Sequence, residues 1–143
     1  TPRHFMGTRS TTTILSENRE PILRLYKQFD GYIAGGLGET LIDLLKDRVI
    51  VNGYTMEDEK NQNFNGMSCL AAQIVADLKE GIGGIYIQPL DDCYEGSFDY
   101  TISCIGNGKD GKPQKIHIVM KSYGDIVYDG LVDDYHRSKV VEH

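Results

Sequence analysis

A chain of 143 residues has the length of one ordinary domain and can bury about two thirds of its unfolded surface in a single core. Its 21 acidic and 15 basic side chains leave a net charge of −6, which excludes nonspecific attraction to nucleic acid or to anionic membranes. Hydrophobic residues at 40% and charged residues at 25% are ordinary for a globular protein, whereas 16 glycines exceed the usual share of roughly 7% and concentrate in turns.

From the N-terminus, Ser10 to Leu15 is threonine-rich with two aliphatics and reads as a strand. The turn-like Ser16 to Pro21 follows, and Ile22 to Phe29 is a second strand that pairs with the first as a hairpin. After Asp30-Gly31-Tyr32 comes Gly35-Gly36-Leu37-Gly38, and Leu37, Leu41, Leu44 and Leu45 then share one face of a helix that stops near Arg48. Val49 to Val51 is a short strand or extended segment ended by the turn dipeptide Asn52-Gly53. Thr55 to Asn65 is polar and acidic, as expected of a surface loop.

Met67, Leu70, Ala71, Ile74, Val75 and Leu78 recur at the spacing of an amphipathic helix, with Asn65 as its cap and Gly81 as its left-handed terminator. Four strands follow: Gly84 to Gln88, Phe98 to Ile105, Lys115 to Tyr123 and Asp125 to Tyr128. The stretch Gly106 to Gly111 is a hairpin loop by composition. The order lacks the strand-helix alternation of a parallel sheet. The expectation is an α+β single domain over residues 7–135, with a mainly antiparallel sheet of about six strands and two helices packed on one face. Residues 1–5 and 141–143 read as vector- or tag-derived, with Met6-Gly7 the natural start. Met6 to Thr11 fits the loose myristoylation pattern, but a strand beginning there would have to be exposed to present it.

Cys69, Cys93 and Cys104 form no complete disulfide framework and show no Cys-x-x-Cys spacing, which favours a reducing compartment. No apolar run reaches the roughly 20 residues that span a bilayer, and the N-terminus lacks the core of a signal peptide, so the expected location is the cytoplasm.

Candidate chemistry centres on the second strand. Arg24, Tyr26 and Gln28 alternate onto one face and, with Asp30, run toward the glycine loop. A guanidinium suits phosphate or carboxylate, a phenol stacks or hydrogen-bonds, and an amide reads a base edge, which together suit a nucleotide-like ligand. The same residues also fit a solvated amphipathic strand. Gly35, Gly36 and Gly38 precede a helix with no Ser, Thr, Asp or Asn in the capping position, leaving backbone N–H groups for a ligand oxygen. The loop matches neither the phosphate-binding nor the dinucleotide fingerprint, Glu39 already complements the dipole, and a turn requiring positive φ explains the glycines equally. Asn61 to Gly66 is a second amide-rich loop able to reach polar groups or to cap the following helix. His117 has no nucleophile partner by sequence, His136 lies in a charged tail, and Asp91, Asp92, Asp133 and Asp134 have no spacing that specifies a metal.

At Met6-Gly7-Thr8-Arg9-Ser10, Tyr26-Lys27-Gln28-Phe29-Asp30-Gly31-Tyr32 and Asn65-Gly66-Met67, the chain resembles a family of short, uncharacterised proteins of tailed bacteriophages and mobile elements. The likeness covers most of Met6 to Gly130, including Tyr128-Asp129-Gly130. The family's Pro-Ser-Gly-His-Gly after the tyrosine is replaced here by Ile33 to Gly38, so no role of that histidine carries over. The resemblance implies a host-directed role and no particular activity.

The resulting expectation is a non-enzymatic module that captures a small anionic, nucleotide-like ligand in the host cytoplasm, such as a host defence signal. The ligand-binding residues would be Arg9, Arg24, Tyr26, Gln28, Asp30, Tyr32, Gly35, Gly36, Gly38 and Asn65. No cofactor or metal is implied, no membrane partner is expected, and nucleic acid is disfavoured. The alternatives are a protein-interaction module that inhibits a host factor and a phosphoester-cleaving enzyme; a homodimer is the simplest assembly if the site forms between subunits.

Overall fold

The computed structural model describes residues 8–106 and 112–140. The proposed start at Met6-Gly7, most of the Gly106 to Gly111 loop and residues 141–143 lie outside the described residues. The chain is an α+β domain. Its elements are β1 (Ser10–Leu15), β2 (Pro21–Lys27), α1 (Leu37–Leu45), β3 (Val49–Val51), α2 (Met56–Lys60), β4 (Phe64–Asn65), α3 (Gly66–Leu78), β5 (Ile85–Ile87), β6 (Phe98–Ile105), β7 (Gln114–Ser122) and β8 (Asp125–Leu131).

One sheet of eight strands runs in the order β4-β3-β7-β6-β1-β2-β5, with β8 also on β7. β3 takes Gln114 and Lys115 at the start of β7, and β8 pairs along His117 to Ser122, so two strands share that side of β7. The ladders are antiparallel except β1–β6 and β3–β4. The β1–β2 hairpin forms as expected. The sheet exceeds six strands because β3 is joined by a two-residue β4 inside the stretch expected to be a loop.

Strand alternation divides the sheet into two chemically distinct faces. Ile14, Ile102 and Ile118 are direct neighbours across β1, β6 and β7, as are Thr12, Tyr100 and Met120 in the next row. All six are buried, and α1 and α3 cover this face with Leu37, Leu41, Ile42, Leu45, Met67, Leu70 and Ile74. Each fully buried aliphatic contributes about 1.5–3 kcal/mol of transfer free energy, which makes this face the stabilising centre. Tyr100 brings one polar atom into it, and its Oη donates to the Gly31 carbonyl at 2.7 Å. Burial pushes that phenol well above the ordinary tyrosine range.

Three local features differ from the sequence reading. α1 ends at Leu45, before Arg48, because Lys46 is extended and Asp47 turns left-handed at φ 63°. Thr55 to Asn65 is structured, because Thr55 and Asp58 form a reciprocal capping box that starts α2. Asn65 does not cap α3; Glu17, from the β1–β2 turn, accepts from the Met67 N–H at 2.9 Å.

Candidate functional site

The residues singled out on β2 face away from the helices and lie beneath a strap, residues 88–97, that leads from β5 back to β6. Arg24 is engaged there: Nη1 donates to Thr13 Oγ1 at 3.2 Å and Nη2 to the Tyr94 carbonyl. Tyr26 packs between Tyr86, at 6.1 Å between ring centroids, and Tyr94, edge-on at 5.7 Å. Asp99 holds the far end of the strap by accepting from Gly96 N–H at 3.0 Å and from Thr11 Oγ1 at 2.5 Å. Arg24 Nε, Gln88 Oε1 and Asp99 Oδ2 are buried without a hydrogen-bond partner among the described residues. This face therefore uses its guanidinium to fasten the strap. Gln28 follows β2, with its N–H on the Gly84 carbonyl, and Arg9 stands exposed ahead of β1.

The glycine loop lies on the opposite, helix-bearing side of the sheet. Its helix start is already satisfied: Leu37, Gly38 and Glu39 N–H groups donate to the carbonyls of Asp30, Tyr32 and Ile33 at 2.9, 3.2 and 3.1 Å. Asp30 makes this possible by adopting φ 58°. Glu39 accepts from Gly35 N–H at 3.0 Å, from Tyr135 Oη at 3.1 Å and from Arg137 through two nitrogens at 2.9 and 2.6 Å. The Arg137 bonds, then the Gly35 bond, lower its carboxyl from 4.5 to about 2. An anion at this helix end would face an ionised carboxylate. The glycines serve packing and turns: a Cβ at Gly36 would lie 2.3 Å from the Tyr32 carbonyl oxygen, one at Gly38 2.8 Å from Ile33 Cα, and Gly35 has φ +73°. Gly31 likewise abuts Ser10, where a Cβ would come within 2.5 Å. The Phe29 to Tyr32 segment thus ties the β2–α1 connection to β1 and Tyr100. Tyr32 itself is partly exposed beside Gly36.

Of the expected residues, Arg24 and Tyr26 come together, Asp30, Tyr32 and the three glycines form a separate unit, and Asn65 belongs to a third place. That place is an open cleft of about 580 Å³ between α2–β4 and the helices α1 and α3. One wall is a stripe of α3, Cys69, Gln73 and Asp77, spaced four apart and so on one helix face. The other wall is Tyr54, Glu59, Gln62, Asn63 and Asn65. Arg48 and Phe64 close it, with the guanidinium carbon 5.2 Å from the Phe64 ring centroid and Nη2 donating to Gln62 Oε1 at 2.6 Å.

Several polar groups in the cleft are fixed in place yet retain bonding capacity. Asn65 Oδ1 accepts from Gly53 N–H at 2.8 Å, which leaves its Nδ2 directed by that bond. Gln62 is positioned through Oε1 by Arg48 and keeps its amino group, and Gln73 donates to Asp77 at 3.0 Å and keeps its carbonyl. Asn63 is spent on Val49 N–H and Asp58. Tyr54 is mostly exposed at the rim, its ring accessible for stacking. The amide-rich loop was legible in sequence; Arg48, Tyr54 and the α3 stripe were not singled out, although the four-residue spacing of Cys69, Gln73 and Asp77 was the available signal.

On the polar sheet face, His117 Nε2 meets Asp129 Oδ1 at 2.7 Å, and Ser103 is its direct cross-strand neighbour. The folded chain thus brings a hydroxyl-bearing residue next to His117 without a hydrogen bond from it to the ring. Ser103 is 2% exposed and His117 Nδ1 is buried without a hydrogen-bond partner among the described residues, so the hydroxyl is shut off from solvent while Asp129 stands exposed. His136 is exposed and bonds Ser138. Among the described residues no cluster of three or more His, Cys, Asp or Glu is arranged to hold a metal, and no helix is long and apolar enough to cross a membrane. Comparison with protein-family models, curated proteins and solved structures found no match to this chain.

Proposed function

We propose that this protein is a binding module that retains a small nucleotide-like ligand in the Arg48–Tyr54 cleft. The observation carrying this reading is the cleft itself: a volume suited to one small molecule, an accessible tyrosine ring, one guanidinium, and amides whose orientation is set by bonds to neighbours. Tyr54 would stack on a base, Gln62, Asn65 and Gln73 would read its polar edge, and Arg48 would meet an anionic group. Glu59 and Asp77 also line the cleft and outnumber Arg48, so electrostatics favour a ligand with one phosphate group over a triphosphate. The ligand class is the one expected from sequence; the site is moved from the β2 face, where Arg24 is engaged. The resemblance to bacteriophage proteins implies a host-directed role without a particular activity, and capture of a host signal nucleotide is one such role.

Calorimetry with nucleosides, nucleoside monophosphates, cyclic nucleotides and triphosphates tests the reading. A monophosphate or cyclic monophosphate should bind more tightly than the matching triphosphate, and chromatography after incubation should return it intact. Absence of heat across the panel would remove the proposal; a cleaved product would replace it with a phosphoester-cleaving enzyme.

A further inference from the structure

Among the described residues the sheet ends at β5, which pairs only with β2. Gln88 N–H donates to the Arg24 carbonyl and Gln28 N–H to the Gly84 carbonyl, so the even-numbered positions of β5 face β2 and Ile85 and Ile87 face outward. Ile85 N–H turns back to the Gly83 carbonyl at 3.0 Å, leaving the Ile85 carbonyl and both backbone groups of Ile87 along the open edge. Five of the eleven large apolar side chains exposed among the described residues lie in or next to this strand, Ile82, Tyr86, Ile87, Leu90 and Tyr94, with Tyr86 and Ile87 on opposite faces of the sheet. Tyr86 and Tyr94 flank Tyr26 as an aromatic cluster on the strap side of the edge. From Glu80 to Asp99 the chain carries five carboxylates, at Glu80, Asp91, Asp92, Glu95 and Asp99, and no Lys, Arg or His.

We infer that this edge takes an extended, basic segment of another protein by strand addition. The segment hydrogen-bonds to Ile85 and Ile87, places alternate apolar residues on Ile82 and Leu90, and lays Lys or Arg side chains against Tyr86 and Tyr94 beside Asp91 and Glu95. A second copy of this chain fits less well. Each copy brings a net charge of −6, so two copies repel where one copy and a basic segment attract. Because β5 has only three residues and Pro89 lacks an N–H, the added ladder is short, and side-chain contacts carry the selectivity.

The test uses the full chain and a labelled peptide Arg-Val-Arg-Val-Arg-Val-Arg, with Glu-Val-Glu-Val-Glu-Val-Glu as control, read by fluorescence anisotropy and amide hydrogen exchange. The basic peptide should bind, the acidic one should not, and the Ile87 amide should gain protection. Tyr86→Ala should weaken binding by about ten-fold. The doubly reversed variant Asp91→Lys with Glu95→Lys, which leaves the β2–β5 ladder alone, should reverse the preference between peptides. Lack of binding, binding without protection of Ile87, or an unchanged preference in the reversed variant overturns the inference. So does a dimer in sedimentation that the peptide fails to dissociate.

Discussion

Gly38 and Gly35 sit three residues apart and exist for different reasons, which makes them a test of how the loop is built. At Gly38 a methyl group would meet Ile33 Cα at 2.8 Å and Tyr100 Oη at 3.0 Å, with the backbone unable to retreat. At Gly35 there is open space but φ is +73°. Gly38→Ala should therefore cost about 1–3 kcal/mol by overpacking, and Gly35→Ala about 1 kcal/mol by backbone strain, as read from urea denaturation. A larger loss for Gly35→Ala would contradict the packing account. Nearby, the Glu39 carboxyl is depressed to about 2 from 4.5 in the folded state. Its contribution to stability is fully present above pH about 4.5 and is lost as the pH falls toward 2. The stability difference between the wild-type chain and Glu39→Gln should narrow across that window; a difference independent of pH would mean the Arg137 contacts add nothing to folding.

At the scale of elements, α3 was legible because its buried residues recur at helical spacing, yet its cap was not. Glu17 lies 50 residues earlier in the chain and reaches Met67 N–H only once β1 and β2 have folded. Replacing it with Ala should cost about 1 kcal/mol and raise hydrogen exchange in the first turn of α3, whereas Asn65→Ala should leave that turn unchanged. The start of α1 was misleading for a related reason. Its acceptors are backbone carbonyls brought round by a left-handed Asp30, and no side-chain pattern announces them. By contrast α2 had a readable signal, Thr55 and Asp58 three apart, obscured by the acidic composition around it. Strand faces were legible from alternation, which placed Arg24 and Tyr26 together. That Tyr94 would descend on them depends on the path of the strap, a tertiary fact.

For the whole molecule, the sheet separates three surfaces with different chemistry: an apolar face under α1 and α3, a polar face under the strap, and an open edge at β5. The cleft lies outside all three, where α2–β4 stands away from α3. It is not legible in the sequence, because Arg48 and Tyr54 lie in the connections on either side of β3, Asn65 ends β4 and the stripe is on α3, and their spacing depends on the β3–β4 pairing. Two exposed cysteines allow the site to be located directly. Cys69 lines the cleft, Cys93 lies in the strap, and Cys104 is buried. The decisive measurement is the rate of iodoacetamide labelling at each cysteine, by mass spectrometry, with and without a saturating nucleoside monophosphate. Labelling should slow at Cys69 with Cys93 unchanged, and that protection should be lost in Arg48→Ala and Tyr54→Ala. Protection at Cys93 instead, or equal labelling of Cys69 with and without a ligand shown by calorimetry to be bound, would place the ligand elsewhere and contradict the account.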